Sequence, residues 1–190
     1  PLDMRMDRSQ RRTAADLVAE LSEDELADII RRFGEERFAR RIAAAIVAAR
    51  PVEGTRRLAE LVRGAVPAAA RRTGGHPAAR TFQALRIAVN EELAALEATL
   101  PVAIDRLDRD GVLVVLSYHS LEDRIVKRAF AAAATGCVCP PDLPVCGCGR
   151  SPLVEHVVRR PLVADADERR RNPRSASVRL RAVRRLAVAA

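Results

Sequence analysis

Tryptophan is absent, Tyr118 is the only tyrosine, and aromatic residues make up 3 % of the chain. Stacking of a ring on a nucleic-acid base therefore falls to Tyr118, because the phenylalanines sit on periodic apolar stripes that read as core. Lysine is almost missing: Lys127 is the only one among 33 basic residues. No run approaches the roughly 18 apolar residues that a membrane span needs, which excludes a transmembrane helix by pattern. No secretory leader is recognisable and the first residue is Pro1, so the expectation is a processed or partial chain working in the cytoplasm. Cysteine is too sparse and too clustered for a disulfide framework. The four cysteines instead suggest a reducing compartment and a local cluster.

What is present begins with charge. The net charge is +8 and the isoelectric point about 10.7, carried almost wholly by arginine. Guanidinium forks suit phosphates and planar base edges, so a polyanionic partner is one reading. The other is a GC-rich genome, which would also supply arginine and alanine at the expense of lysine. Hydrophobic residues are 48 % of the chain, enough for a real core in 190 residues.

The first two thirds read as helical. Thr13 and Asp16 cap a first helix carrying Leu17, Val18 and Leu21, and Ser22 with Glu25 forms a capping box for a second, stopped by Gly34. Phe38, Ile42 and Ile46 mark a third helix that ends at Arg50-Pro51. Thr55 starts a fourth, with Leu58, Leu61 and Val62 inward. After the basic loop Arg71 to Pro77, one long helix is expected from Phe82 to Leu100, with Pro101 opening a short further helix. Val112 to Leu116 is an unbroken apolar run, read as a strand buried on both faces within a parallel sheet. Ser120 is expected to cap the helix after it, with Ile125, Val126, Ala129 and Phe130 inward. Strands are expected at 153–160 and 175–183, the latter with Val178, Leu180 and Ala182 on one face and Arg179 and Arg181 on the other; a short helix precedes it at 165–171. Three strands cannot cover one that wants neighbours on both sides, so the sheet reads as incomplete.

Five stretches carry a resemblance: PLDMRMD at 1–7, HPAARTFQALRIAVNEEL at 76–93, LSYHSLEDRIVKR at 116–128, CVCPPDLPVCGCGR at 137–150 and NPRSASVRLRAV at 172–183. Together, and in this order, they resemble the bacterial small-subunit ribosomal RNA methyltransferase H family. The resemblance implies an α/β fold: part of a Rossmann-like, S-adenosylmethionine-dependent methyltransferase sheet with an inserted α-helical subdomain. It implies methylation of a cytosine N4 in 16S rRNA, with the small ribosomal subunit as partner and no membrane. Residues 1–9 would edge the cleft, 10–75 would be the insertion, and 76–190 the C-terminal part of the methyltransferase domain. The glycine-rich cofactor loop and ribose-binding acid of the family have no counterpart here. Gly74-Gly75 follows no strand, so no cofactor-binding residue is assigned and no catalysis is expected of this chain alone.

Candidate site residues follow from two places. Asp3, Arg5 and Asp7 read either as cleft lining, with acid as acceptor and Arg5 on phosphate, or as a salt-bridged loop. Ser117-Tyr118-His119-Ser120 lies at the carboxyl end of the apolar strand, where open α/β sheets put ligands. Tyr118 would stack on a base and His119 relay a proton or touch RNA. Against this, Ser120 reads as a cap, His119 as a structural histidine, and Glu122 and Asp123 as favourable charges at a helix N-terminus. No G-x-S-x-G elbow supports a hydrolase. Arg80, Arg124, Arg174 and Arg179 add RNA-contact candidates within a strongly basic C-terminal third. Cys137-x-Cys139 and Cys146-x-Cys148 resemble a four-thiolate structural zinc knuckle, or else a reduced, proline-stiffened loop. A non-catalytic basic RNA-binding module with a zinc loop is the alternative to the enzyme.

Overall fold

The computed structural model describes residues 1–72, 76–140 and 145–187. The glycine pair Gly74-Gly75 lies outside them. The chain forms two compact units, Pro1–Glu92 and Leu93–Ala190. The division therefore falls after Glu92, and the segment from 76 to 92 keeps company with the helices before it.

Unit 1 is all helix: α1 (Ala14–Glu20), α2 (Glu23–Gly34), α3 (Ala39–Ala48), α4 (Gly54–Ala65) and α5 (Ala79–Asn90). The two N-terminal caps form as the sequence requires. Thr13 and Asp16 close a capping box on α1, and Ser22 and Glu25 close one on α2, each satisfying amides that a helix start leaves without partners. Leu17, Val18, Leu26, Ile30, Ile42, Ile46, Leu58 and Val62 point into one core. Arg50 ties α1 down from the side, its Nε donating to the Val18 carbonyl at 2.7 Å and its other terminus to the Leu21 carbonyl.

Gly34 ends α2 for a different reason from the one its sequence suggests. The left-handed residue is Glu35, at φ 47°, while Gly34 is still helical. A Cβ on Gly34 would sit 2.6 Å from the Arg80 carbonyl oxygen of α5. The glycine is there to let two helix backbones approach. Gly34→Ala is expected to cost unit 1 about 1–3 kcal/mol, because backbone rather than a flexible side chain must yield. Denaturant unfolding followed by far-ultraviolet circular dichroism checks this, and a change within about 0.5 kcal/mol would rule out the close-approach account.

The expected single helix from Phe82 to Leu100 is broken. Glu91 turns left-handed at φ 50°, and Asn90 donates to the carbonyls of Met4 and Arg86 while accepting the Met6 amide. Those bonds hold the N-terminal loop onto the end of α5. Helix α6 (Glu92–Asp105) then runs straight through Pro101, which does not open a separate helix.

Unit 2 carries the sheet: β1 (Val112–Ser117), α7 (Ser120–Ala134), β2 (Val154–His156), β3 (Leu162–Val163), α8 (Ala166–Arg171) and β4 (Arg179–Arg185). The unit is mixed α/β. All pairings among the described residues are antiparallel: β4 pairs with β1 on one side and with β2 and β3 on the other. The parallel setting expected for β1 is thus not what surrounds it here. Nor is β1 buried on both faces. Leu113 and Val115 pack on the core of Leu100, Ile104, Val126, Phe130, Val154 and Val183, whereas Val112, Val114 and Leu116 are about half exposed (46, 47 and 52 %). The β4 register puts Leu180 and Ala182 opposite Leu116 and Val114 on this open face, and Arg179 and Arg181 opposite Ser117 and Val115 on the other. Arg179 and Arg181 therefore share the face opposite the open one, Arg181 largely buried and Arg179 half exposed. Strands 153–160 and 175–183 shrink and shift accordingly, and residues 173–177 form a 3-10 turn. Among the described residues, no helix is long and apolar enough to cross a membrane.

Candidate RNA-facing site and four-cysteine cluster

Arg179 and Arg181 of β4 are explained by Asp123. This residue is 5 % exposed and stands on α7 at i, i+3 and i+7 spacing with Val126 and Phe130, on the buried stripe. A lone carboxylate there would be costly, and it is not alone. Arg181 forks onto it at 2.7 and 3.1 Å, and Arg179 adds a bond at 2.9 Å. The Arg181 hydrogen bonds hold its carboxyl below the usual carboxylate range against the opposing effect of burial, with Arg179 assisting. Asp123 is thus a buried counterion as well as an acidic residue in the first turn of α7.

The α7 N-cap is His119, not Ser120, which is the first helical residue. The His119 Nδ1 accepts the Glu122 amide at 3.4 Å, while the Glu122 carboxylate accepts the amides of Tyr118 at 2.7 Å and His119 at 3.1 Å. The His119 Nε2 lies 3.4 Å from the other Glu122 oxygen without hydrogen-bond alignment. The imidazole is part of the turn that presents Tyr118.

Tyr118 itself is 57 % exposed. It lines a concavity of about 380 Å³ with His119, Ser120, Val163, Arg169, Ser177 and Arg179. Tyr118, His119, Ser120 and Arg179 thus line one concavity, and Arg169 joins them from α8. Ser117 is buried at the end of β1, its hydroxyl without a hydrogen-bond partner among the described residues. Arg124 and Arg174 are exposed and do not line this concavity.

In unit 1, Asp3 and Arg5 form a closed pair. Arg5 Nε and one terminal nitrogen donate to both Asp3 oxygens at 2.7 and 3.0 Å, and the other nitrogen reaches the carbonyls of Arg8 and Gln10. That pairing draws the Asp3 carboxyl down to about 2. Asp7 accepts the amide and hydroxyl of Ser9, both at 2.8 Å. This is the geometry of a salt-bridged loop. Arg80 is exposed along a separate concavity of about 390 Å³ shared with Glu36, Phe38, Arg71 and His76.

The four cysteine Sγ atoms converge. Cys146 lies 3.4 Å from Cys137, 3.9 Å from Cys139 and 3.5 Å from Cys148, and Cys148 is 3.7 Å from Cys137. None is joined in a disulfide. Amides of Arg150 and Val138 directed at Cys148 lower its thiol to about 6. The Cys139 amide acts the same way on Cys137, but hydrogen bonding with the neighbouring thiols outweighs it and pushes Cys137 up to about 11.

Comparison with known proteins matches this frame. Residues 1–186 match the MraW methylase family. The chain is 58 % identical to the ribosomal RNA small subunit methyltransferase H of Symbiobacterium thermophilum over 98 % of its own length and 59 % of that protein's. The enzyme of the same name from Heliobacterium modesticaldum is 54 % identical over 98 % of this chain and 60 % of its own. That of Frankia casuarinae is 57 % identical over 98 % and 59 %. The chain thus spans about three fifths of the length of these curated relatives. With a match over nearly all of its residues and identities above one half, the chain belongs to the MraW methylase family.

Proposed function

We propose that this chain is part of an enzyme that methylates the exocyclic N4 of a cytosine in 16S rRNA, using S-adenosylmethionine, and that the Tyr118 concavity faces the RNA. The relatives' shared name supports the substrate class. The observation that carries the reading of this surface is one exposed tyrosine at the strand end that lines a concavity together with Arg169 and Arg179.

S-adenosylmethionine, when bound, supplies an electrophilic methyl group on a sulfonium. The described residues do not fit it: β1 runs through Ser117-Tyr118-His119 directly into α7, with no glycine-rich turn to admit a nucleotide. No step is therefore assigned through the cofactor, and this chain's part is to hold RNA. The cytosine N4 lone pair is delocalised into its ring, so transfer demands an extruded and rigidly held base. Tyr118 offers the stacking face for a base or its neighbour. Arg169 supplies phosphate charge, and Arg179 keeps donors to spare beyond the one committed to Asp123. His119 acts as a positioning residue by closing the turn that aims Tyr118.

Disruption of the gene is expected to remove N4-methylcytidine from 16S rRNA, read by mass spectrometry of nuclease digests. Complementation with the intact gene should restore it. Stacking on one aromatic is worth about 1–3 kcal/mol, so Tyr118→Ala should weaken binding of a small-subunit rRNA fragment about 5- to 150-fold. Tyr118→Phe should bind nearly as the parent does. Unchanged affinity in Tyr118→Ala would remove the concavity from the RNA path, and unchanged N4-methylcytidine after disruption would remove the reaction.

A further inference from the structure

We propose that Cys137, Cys139, Cys146 and Cys148 bind one zinc ion as a tetrathiolate site whose role is to order the connection from α7 to β2. A tetrahedral zinc with Zn–S bonds of about 2.3 Å has S···S edges of about 3.8 Å. Four of the six separations run from 3.4 to 3.9 Å, and all four sulfurs lie within 4.8 Å of one another. A disulfide would need about 2.05 Å. The four separations that involve Cys146 or join Cys148 to Cys137 lie within a few tenths of an ångström of that tetrahedral edge, so one central ion suits the cluster.

The surroundings suit a charged thiolate cluster. Amides of Arg150 and Val138 are directed at Cys148, the amide of Gly147 at Cys139, and that of Cys139 at Cys137. Such donors stabilise thiolate sulfur and orient it, as outer partners of metal ligands do elsewhere. Alternative sources of order are few. Val138 and Val145 are 54 and 76 % exposed, so among the described residues these valines form no apolar cluster around the cysteines. The base of the loop is nevertheless pinned: the Leu153 amide donates to the Ala133 carbonyl at 2.8 Å, and Gly136 lies against Pro152, where an added Cβ would meet its ring at 3.1 Å. The pinned base returns the chain at Val154 into the unit 2 core, and among the described residues the four thiols converge above it. Four thiolates fill the coordination of zinc, which leaves no open position for a reacting water and makes the site structural. The site is independent of the methyl-transfer reading.

The test is metal analysis of the whole 190-residue chain, produced in zinc-supplemented medium and purified with reductant and without chelator. Inductively coupled plasma mass spectrometry should find one zinc per chain, and a mercurial should release that zinc as the four thiols are titrated. Cobalt(II) in place of zinc should give sulfur-to-metal charge transfer and the intense visible bands of a tetrahedral tetrathiolate. Cys146→Ser removes the sulfur nearest to the other three and should abolish stoichiometric metal. Should that variant fail to fold, the cobalt spectrum of the unsubstituted chain decides. Four freely titrating thiols without metal, two disulfides, or iron in place of zinc would each overturn the proposal.

Discussion

Asp123→Ala should destabilise unit 2 by about 3–5 kcal/mol, because it leaves Arg181 beneath the sheet without a counterion. The carboxylate is 5 % exposed and takes three hydrogen bonds from two guanidinium groups. Its partners are not equivalent. The Arg181 side chain is 15 % exposed and the Arg179 side chain 50 % exposed. Arg181→Ala should therefore approach the Asp123→Ala loss, while Arg179→Ala should cost about 1 kcal/mol or less, as solvent-screened pairs do. Equal effects of the two arginine variants would contradict this account. Acid unfolding gives a second readout. Because the folded-state carboxyl is held below its ordinary value, the contribution is complete above the unfolded value of about 3.9 and drains away as pH falls toward the lower folded value. Removing Asp123 should flatten the acid limb of stability in that window and leave the neutral plateau lower. The same carboxylate steadies Arg179 at the rim of the Tyr118 concavity, so the variant should also weaken RNA binding more than its exposure alone suggests.

Local signals were legible where one residue's chemistry decides the outcome. The capping pairs Thr13/Asp16 and Ser22/Glu25 announce helix starts because a hydroxyl and a carboxylate three residues apart satisfy each other's amides. The Tyr118 site could be found because an apolar run followed by polar residues marks a strand end. Three readings failed for lack of a partner in view. Ser120 looked like the cap by residue type, but the imidazole of His119 sits one residue earlier with an acceptor nitrogen in reach. Gly34 looked like a left-handed stop, whereas what it makes room for is the Arg80 carbonyl 46 residues later. The apolar run of β1 says that both faces favour burial, not which neighbours supply it, and in this chain one face stays open. Asp123 carried a signal that could have been read: a carboxylate at i, i+3, i+7 spacing with Val126 and Phe130 lies on a buried stripe and requires a cation. Arg179 and Arg181 of β4 were the matching half, and alternation alone gave them a common face without naming the carboxylate that faces it.

Phe130→Ala is the substitution expected to separate the two units in an unfolding experiment. Phe130 is fully buried and is the largest side chain of a core that otherwise rests on Leu100, Ile104, Val126, Val154 and Val183. Truncating it removes its transfer energy and leaves a cavity that surrounding aliphatic residues can fill only in part, a loss of about 3–5 kcal/mol. So small a core has little else to offset this, since one face of β1 contributes nothing to it. Unit 1 has its own core, built from α1 to α5 and closed by its own caps, and shares no core residue with unit 2. Native-state hydrogen exchange should therefore show amides of β1, α7 and β4 losing protection in Phe130→Ala while those of α2 and α5 keep theirs. Uniform loss of protection across both sets would mean that the chain unfolds as one cooperative body and that the two cores are energetically one. Selective loss would assign the Tyr118 concavity to a unit whose stability can be tuned without disturbing the helices, because Phe130 and the concavity share α7 and the sheet it packs against.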